Sequence, residues 1–145
     1  MPLIAVEDSL LVVVDLQPRF WGDRLDADDL RRAGEVAARG AWLAGAASAL
    51  GVPAVLTEEE PERNGPTDAA VLAALQPRAP VFTKPVFGLA DCPDIMAAIG
   101  FDRILFSSDY PHWDYDDARF AFKTPLTDAE RKKIFNTNAR AVYKL

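Results

Sequence analysis

Leu10-Leu11-Val12-Val13-Val14-Asp15 decides how this chain is read. Five apolar residues in a row, three of them β-branched, show no polar alternation and stop too soon for an ordinary helix. They predict a short strand covered on both faces. Strands of that kind belong to parallel sheets, whose ligand groups gather at the carboxyl ends of the strands. Asp15 ends this run, so its carboxylate is expected at that edge.

Working outward, Asp28 or Asp29 can cap a helix running to about Leu50. Its alanines (Ala37, Ala38, Ala41, Ala44, Ala46, Ala47) favour helix and close packing, and Gly51 suits a left-handed stop. Trp42, mid-helix, is expected in the core or in helix packing. Val52–Leu56 predicts a second strand, Thr57 to Pro66 a polar loop, and Thr67 or Asp68 the start of a helix through Leu75. Pro80–Lys84 predicts a third strand. Asp91 and Pro93 then open a helix to Ile99, closed by Gly100, and Arg103–Ser107 predicts a fourth strand. The stretch 108–126 lacks periodicity and reads as a loop. Thr127-Asp128-Ala129-Glu130 has capping-box spacing and opens a last helix to about Tyr143. Strands alternating with helices predict an α/β fold: a three-layer, doubly wound, Rossmann-type parallel sheet of about four strands in order 3-2-1-4, in a single domain over 1–145.

Composition narrows the classes. A net charge of -6 over 145 residues argues against nucleic acid, which needs a basic face. No apolar run approaches the roughly 20 residues of a membrane span. The start Met1-Pro2-Leu3-Ile4-Ala5-Val6-Glu7-Asp8 has no basic segment before an apolar one, and the lone Cys92 excludes an internal disulfide. A cytoplasmic protein is therefore expected. Charge breaks along the chain: residues 101–145 hold 8 basic and 7 acidic residues, leaving 8 basic and 15 acidic in 1–100.

Asp15 and Lys84 both end predicted strands. A carboxylate beside an ammonium can shuttle a proton and steady developing negative charge, although the same pair can be an ordinary structural ion pair. Cys92, in the turn before a helix, reads as a packing residue. Asp114-Tyr115-Asp116-Asp117 lacks the glycine and ligand spacing of a calcium loop and reads as a solvated acidic loop.

Three segments, Asp15-Leu16-Gln17-Pro18-Arg19-Phe20-Trp21, Thr57 to Thr67, and Phe82-Thr83-Lys84-Pro85-Val86-Phe87-Gly88, together resemble the isochorismatase-like cysteine hydrolases over about residues 3–99. The resemblance implies hydrolysis of a small amide-like or related molecule. It makes Asp15 and Lys84 the catalytic pair, and Gln17, Phe20, Trp21 and Phe87 the substrate pocket. It also implies a cysteine nucleophile after the fourth strand, where this chain has His112 or Trp113. Activity is therefore expected to be impaired, with no cofactor.

From Gly100 the resemblance changes. Ser107-Ser108-Asp109-Tyr110-Pro111-His112, then Arg131 to Ile134 and Asn138 to Tyr143, resemble the C-terminal end of amidohydrolase-related metal-dependent barrel enzymes. That implies a metal-serving role for Asp109. A whole barrel needs about 250 residues, and a catalytic zinc needs about three protein ligands, whereas this chain has one histidine. No metal is expected. The expectation is thus an isochorismatase-like part, 1–99, joined to an amidohydrolase-like segment, 100–145. The alternatives are a catalytically silent α/β scaffold or binding module, and an amidohydrolase-related fragment lacking most of its metal ligands. The expected partners are a small-molecule substrate and a second subunit covering exposed sheet edge, with neither nucleic acid nor membrane.

Overall fold

The computed structural model describes residues 5–22, 25–85, 88–89, 92–107, 117, 119–122 and 125–145. The chain forms two compact units, Met1–Phe87 and Gly88–Leu145.

The first unit is α/β. Strands β1 (Leu11–Val14), β2 (Ala54–Glu59) and β3 (Val81–Lys84) form a parallel sheet in the order β1-β2-β3. Register pairs Val14 with Thr57 and Glu59 with Lys84. Helix α1 (Ala27–Leu50) and α3 (Ala69–Ala74) pack together on one face, around Ala44, Leu56, Val71 and Leu75. Close approach needs the small residues of α1: a side chain at Gly40 would meet Leu16 at 2.6 Å. The cap of α1 is Asp26, two or three residues earlier than expected, because its carboxylate accepts from Asp29 N at 2.8 Å. Trp42 is not core but 73% exposed. It sits about 200° around the helix from buried Ala44.

β2 runs to Glu59, so Thr57, Glu58 and Glu59 are strand and not loop. The short helix α2 (Pro61–Asn64) follows directly. Period-2 alternation puts Leu56 on the helix-covered face and Thr57 and Glu59 on the other.

In the second unit, α4 (Pro93–Ile99) buries Ile95, Met96 and Ile99. α5 (Asp128–Lys132) starts at the expected capping box and continues through a π-helical turn, Lys133–Thr137, into α6 (Asn138–Tyr143). The expected fourth strand is absent, and the described sheet has three strands, not four. Phe101–Arg103 is a 3-10 turn and Ile104–Ser107 is irregular. Their backbone groups are satisfied elsewhere: Asn138 Nδ2 donates to Phe101 O and Ile104 O at 2.6 and 2.8 Å, and Phe106 N donates to Ile134 O. Among the described residues β1 is thus an open edge, with Val14 at its end half exposed. No described helix is long and apolar enough to cross a membrane.

Candidate functional site

The three strands end together, and their last residues bring three charged side chains into contact. Asp15 leaves β1 with a left-handed backbone, φ +48°, which aspartate tolerates better than most residues. Its N–H still donates to Thr57 O at 3.1 Å, prolonging the ladder, while its carbonyl accepts from Gln17 N at 2.8 Å. Glu60, which follows β2, is also left-handed at φ +38°. Strained non-glycine residues at two adjacent strand ends suit a site whose side chains must be aimed.

Lys84 Nζ stands 2.5 Å from Asp15 Oδ2 and 3.4 Å from Glu59 Oε2. The lysine side chain has no solvent exposure, and the carboxylate side chains have 12% and 15%. Thr57 Oγ1 donates to Asp15 Oδ1 at 2.8 Å, fixing the other carboxylate oxygen. The sequence-derived pair therefore meets. Glu59 is a third member that the reading of Thr57 to Pro66 as a loop concealed. The parity of Thr57 and Glu59 along an extended β2 was the signal for it.

Gln17 is buried, but its polar atoms are engaged with backbone. Its Nε2 donates to Glu59 O and Gly65 O at 3.0 and 2.5 Å, and its Oε1 accepts from Glu59 N at 2.8 Å. It holds the end of β2 against the 65–67 turn. Glu58, turned to the opposite face, accepts from Thr67 N at 2.7 Å. Asp15 opens on a cavity of about 280 Å³ walled by Val14, Leu16, Gln17, Phe20, Trp21 and Val36. Gln17, Phe20 and Trp21, three of the residues expected at a pocket, thus line one cavity with Asp15. Phe87, Asp109 and His112 lie outside the described residues. Cys92 is buried at the start of α4, in the second unit. Of the acidic loop, Asp117 is described: hydrogen bonds from Arg119 hold its carboxyl down to about 2.

An ionised carboxylate with one edge toward a cavity can accept a proton. The buried ammonium behind it holds the carboxylate in place without itself reaching the opening. No cluster of three or more His, Cys, Asp and Glu able to hold a metal occurs among the described residues. Asp15 and Glu59 already share a cation, Lys84.

The family profile described as amidohydrolase matches residues 65–145. Gamma-resorcylate decarboxylases from Rhizobium radiobacter and Rhizobium sp. (strain MTP-10005) are 47% identical over 53 residues, 36% of this chain and 16% of theirs. The corresponding protein of Polaromonas sp. (strain JS666 / ATCC BAA-500) is 45% identical over the same length. The chain therefore spans about a sixth of the length of these relatives. Among solved structures, the MAR1 ribonuclease from Caenorhabditis elegans superposes with a TM-score of 0.54 at 26% identity, covering 66% of this chain and 46% of that one. With the profile running over more than half of its residues, the chain belongs to the amidohydrolase family.

Proposed function

We propose that an isochorismatase-like α/β part carrying Asp15 runs into the amidohydrolase-related part, whose profile begins at residue 65 and so ahead of the join expected near Gly100, and that the hydrolytic chemistry rests on Asp15. The substrate class is a small amide-like molecule. The observation that carries this reading is Lys84, wholly buried between the Asp15 and Glu59 carboxylates at the strand ends. Burying three charges together is expensive, and an apolar cluster would serve stability as well. Such an arrangement is best explained by a need for chemistry.

The metal implied by the amidohydrolase family does not fit the residues of this chain. One histidine is a short donor set, and the carboxylates that cluster among the described residues are already neutralised by an ammonium. No step is routed through a metal. In the proposed reaction Asp15 takes a proton from water, and the water oxygen bonds to the substrate carbonyl carbon. The carbonyl electron pair moves onto oxygen. Its return expels the amine, which receives the proton from Asp15. Lys84 is a positioning residue for Asp15, and Phe20 and Trp21 shelter the apolar part of the substrate. Water takes the place of the cysteine nucleophile that the isochorismatase-like resemblance implies, which predicts slow turnover.

A cytoplasmic protein with small-molecule partners agrees with this reading, as does a homodimer covering the open edge of β1. The second reading, an amidohydrolase fragment with the decarboxylase relatives' chemistry, is favoured by the 47% identity over 53 residues.

The test is a panel of small amides, carbamoyl compounds and esters against wild type and Asp15→Ala, with gamma-resorcylate as a further substrate. A drop of at least about tenfold in Asp15→Ala supports the hydrolase. Equal rates in both proteins overturn it and leave the silent scaffold. Carbon dioxide release from gamma-resorcylate, indifferent to Asp15, would favour the second reading.

A further inference from the structure

The Glu59 carboxylate also borders a second, larger cavity of about 690 Å³, lined by Arg19, Phe20, Glu60, Arg63 and Asn64 with it. Its volume falls within the range of small-molecule sites, about 300–1,000 Å³. The charges on its wall are not all balanced. Glu60 pairs with Arg63 at 3.5 Å, and Glu59 with Lys84 at 3.4 Å. Arg19 has no carboxylate partner among the described residues; its Nη1 donates to the carbonyl oxygen of Arg63 at 3.3 Å.

The position of Arg19 is built. Pro18 opens the 3-10 turn that carries it. Its stem runs along Gly65, where a side chain would meet Arg19 Cδ at 3.7 Å. Gly65 keeps this wall flat, at φ +77°, and its carbonyl is tied to Gln17. With one of five N–H groups spent on a carbonyl, the guanidinium retains a planar fork for a carboxylate. Phe20, partly exposed and shared with the cavity beside Asp15, adds an aromatic side chain to the same wall. Glu59 and Glu60 on the same wall oppose a second negative charge.

We propose that this cavity binds a small aromatic monocarboxylate, with Arg19 taking the carboxylate and Phe20 the ring. The site borders the charged cluster through Glu59 and shares Phe20 with the cavity beside Asp15, but binding at Arg19 needs no turnover, so either proposal can fail while the other stands.

Calorimetric titration with benzoate, benzamide and phenyl phosphate tests it. Wild type should bind benzoate about tenfold more tightly than benzamide, the scale of one charge-assisted pair. Arg19→Gln should abolish that preference, Arg19→Lys should keep part of it, and Arg140→Gln, in the second unit, should leave it intact. A circular dichroism spectrum unchanged from wild type establishes that the glutamine variant is folded; should it not fold, the lysine variant decides by keeping or losing the preference. Equal binding of benzoate and benzamide, a preference surviving Arg19→Gln, or no benzoate binding would each overturn the proposal. Tighter binding of phenyl phosphate than of benzoate would overturn the monocarboxylate assignment.

Discussion

Lys84 Nζ lies 2.5 Å from Asp15 Oδ2, at the ends of two strands that do not pair with each other. β2 stands between them, and its side chains complete the contact: Thr57 holds the far oxygen of Asp15, and Glu59 takes the other side of the ammonium. Parallel pairing in register brings this about, because Glu59 faces Lys84 directly and Thr57 faces Val14, the neighbour of Asp15.

Removing the cation should expose how strongly the cluster is interlocked. Lys84→Met leaves two mostly buried carboxylates without a countercharge, a change that typically costs about 3–5 kcal/mol. Urea unfolding followed by hydrogen exchange of residues 11–17 reads this unit by itself. Adding Asp15→Asn and Glu59→Gln to Lys84→Met should recover a large part of the loss. A triple variant as unstable as the single one would show that charge is not what the lysine supplies.

Gln17 lines the cavity beside Asp15, and its side-chain amide is spent on the backbone that shapes it. Gln17→Ala removes three hydrogen bonds to backbone at a buried position, for about 2–4 kcal/mol in total. Gln17→Glu should be no milder, since a carboxylate cannot donate to the Glu59 and Gly65 carbonyls. Faster exchange at Glu59 N–H in both variants is the measurement. Unchanged exchange there would mean that the 65–67 turn is held by other contacts, such as Asn64 Nδ2 to Glu59 O.

What was legible in the sequence follows the range of the interactions involved. β1 to β3, their order and the meeting of Asp15 with Lys84 were readable from short apolar runs and from the rule that such strands end at one edge. Glu59 was hidden because three glutamates before a proline look like a solvated loop, whereas the ladder carries the strand through them. The Arg103–Ser107 strand failed for the opposite reason: its apolar pattern is strand-like, but Asn138 and Ile134 claim its backbone groups from more than 25 residues away. Trp42 failed because helix pattern alone does not reveal which side of an alanine-rich helix a sheet will choose.

The capping box of α5 should make its helix pH-sensitive. Thr127 N and Oγ1 both donate to Glu130 Oε2 at 2.8 Å, and these bonds hold the Glu130 carboxyl below the usual 4.5. A lowered folded value means that the ionised form favours the helix. The contribution is complete above the unfolded value and fades as pH falls through the folded one. The difference in helix signal on heating between wild type and Glu130→Gln should therefore be largest above about pH 4.5 and close in more acidic solution. A difference independent of pH would refute the linkage.

Asn138 is the residue on which the shape of the second unit should depend most. The π-helical turn before it lets Asn138 N reach Lys133 O, five residues back, while the Ile134 carbonyl accepts from Phe106 N at 3.3 Å. The same turn leaves Ile134 and Asn138 both buried, one turn apart. Its amide then supplies two donors to the carbonyls of Phe101 and Ile104, and the Phe106 ring packs tilted against Phe135, centroids 4.9 Å apart. Asn138→Ala should cost about 2–3 kcal/mol, because two carbonyls lose their donor at a buried position. Asn138→Asp should cost more, since it sets a carboxylate against the same two oxygens. Hydrogen exchange should accelerate at Phe106 and through the π turn, and remain unchanged in β1 to β3. If exchange rose equally in both units, the bond would be supporting the whole chain and not the local turn to which its geometry assigns it.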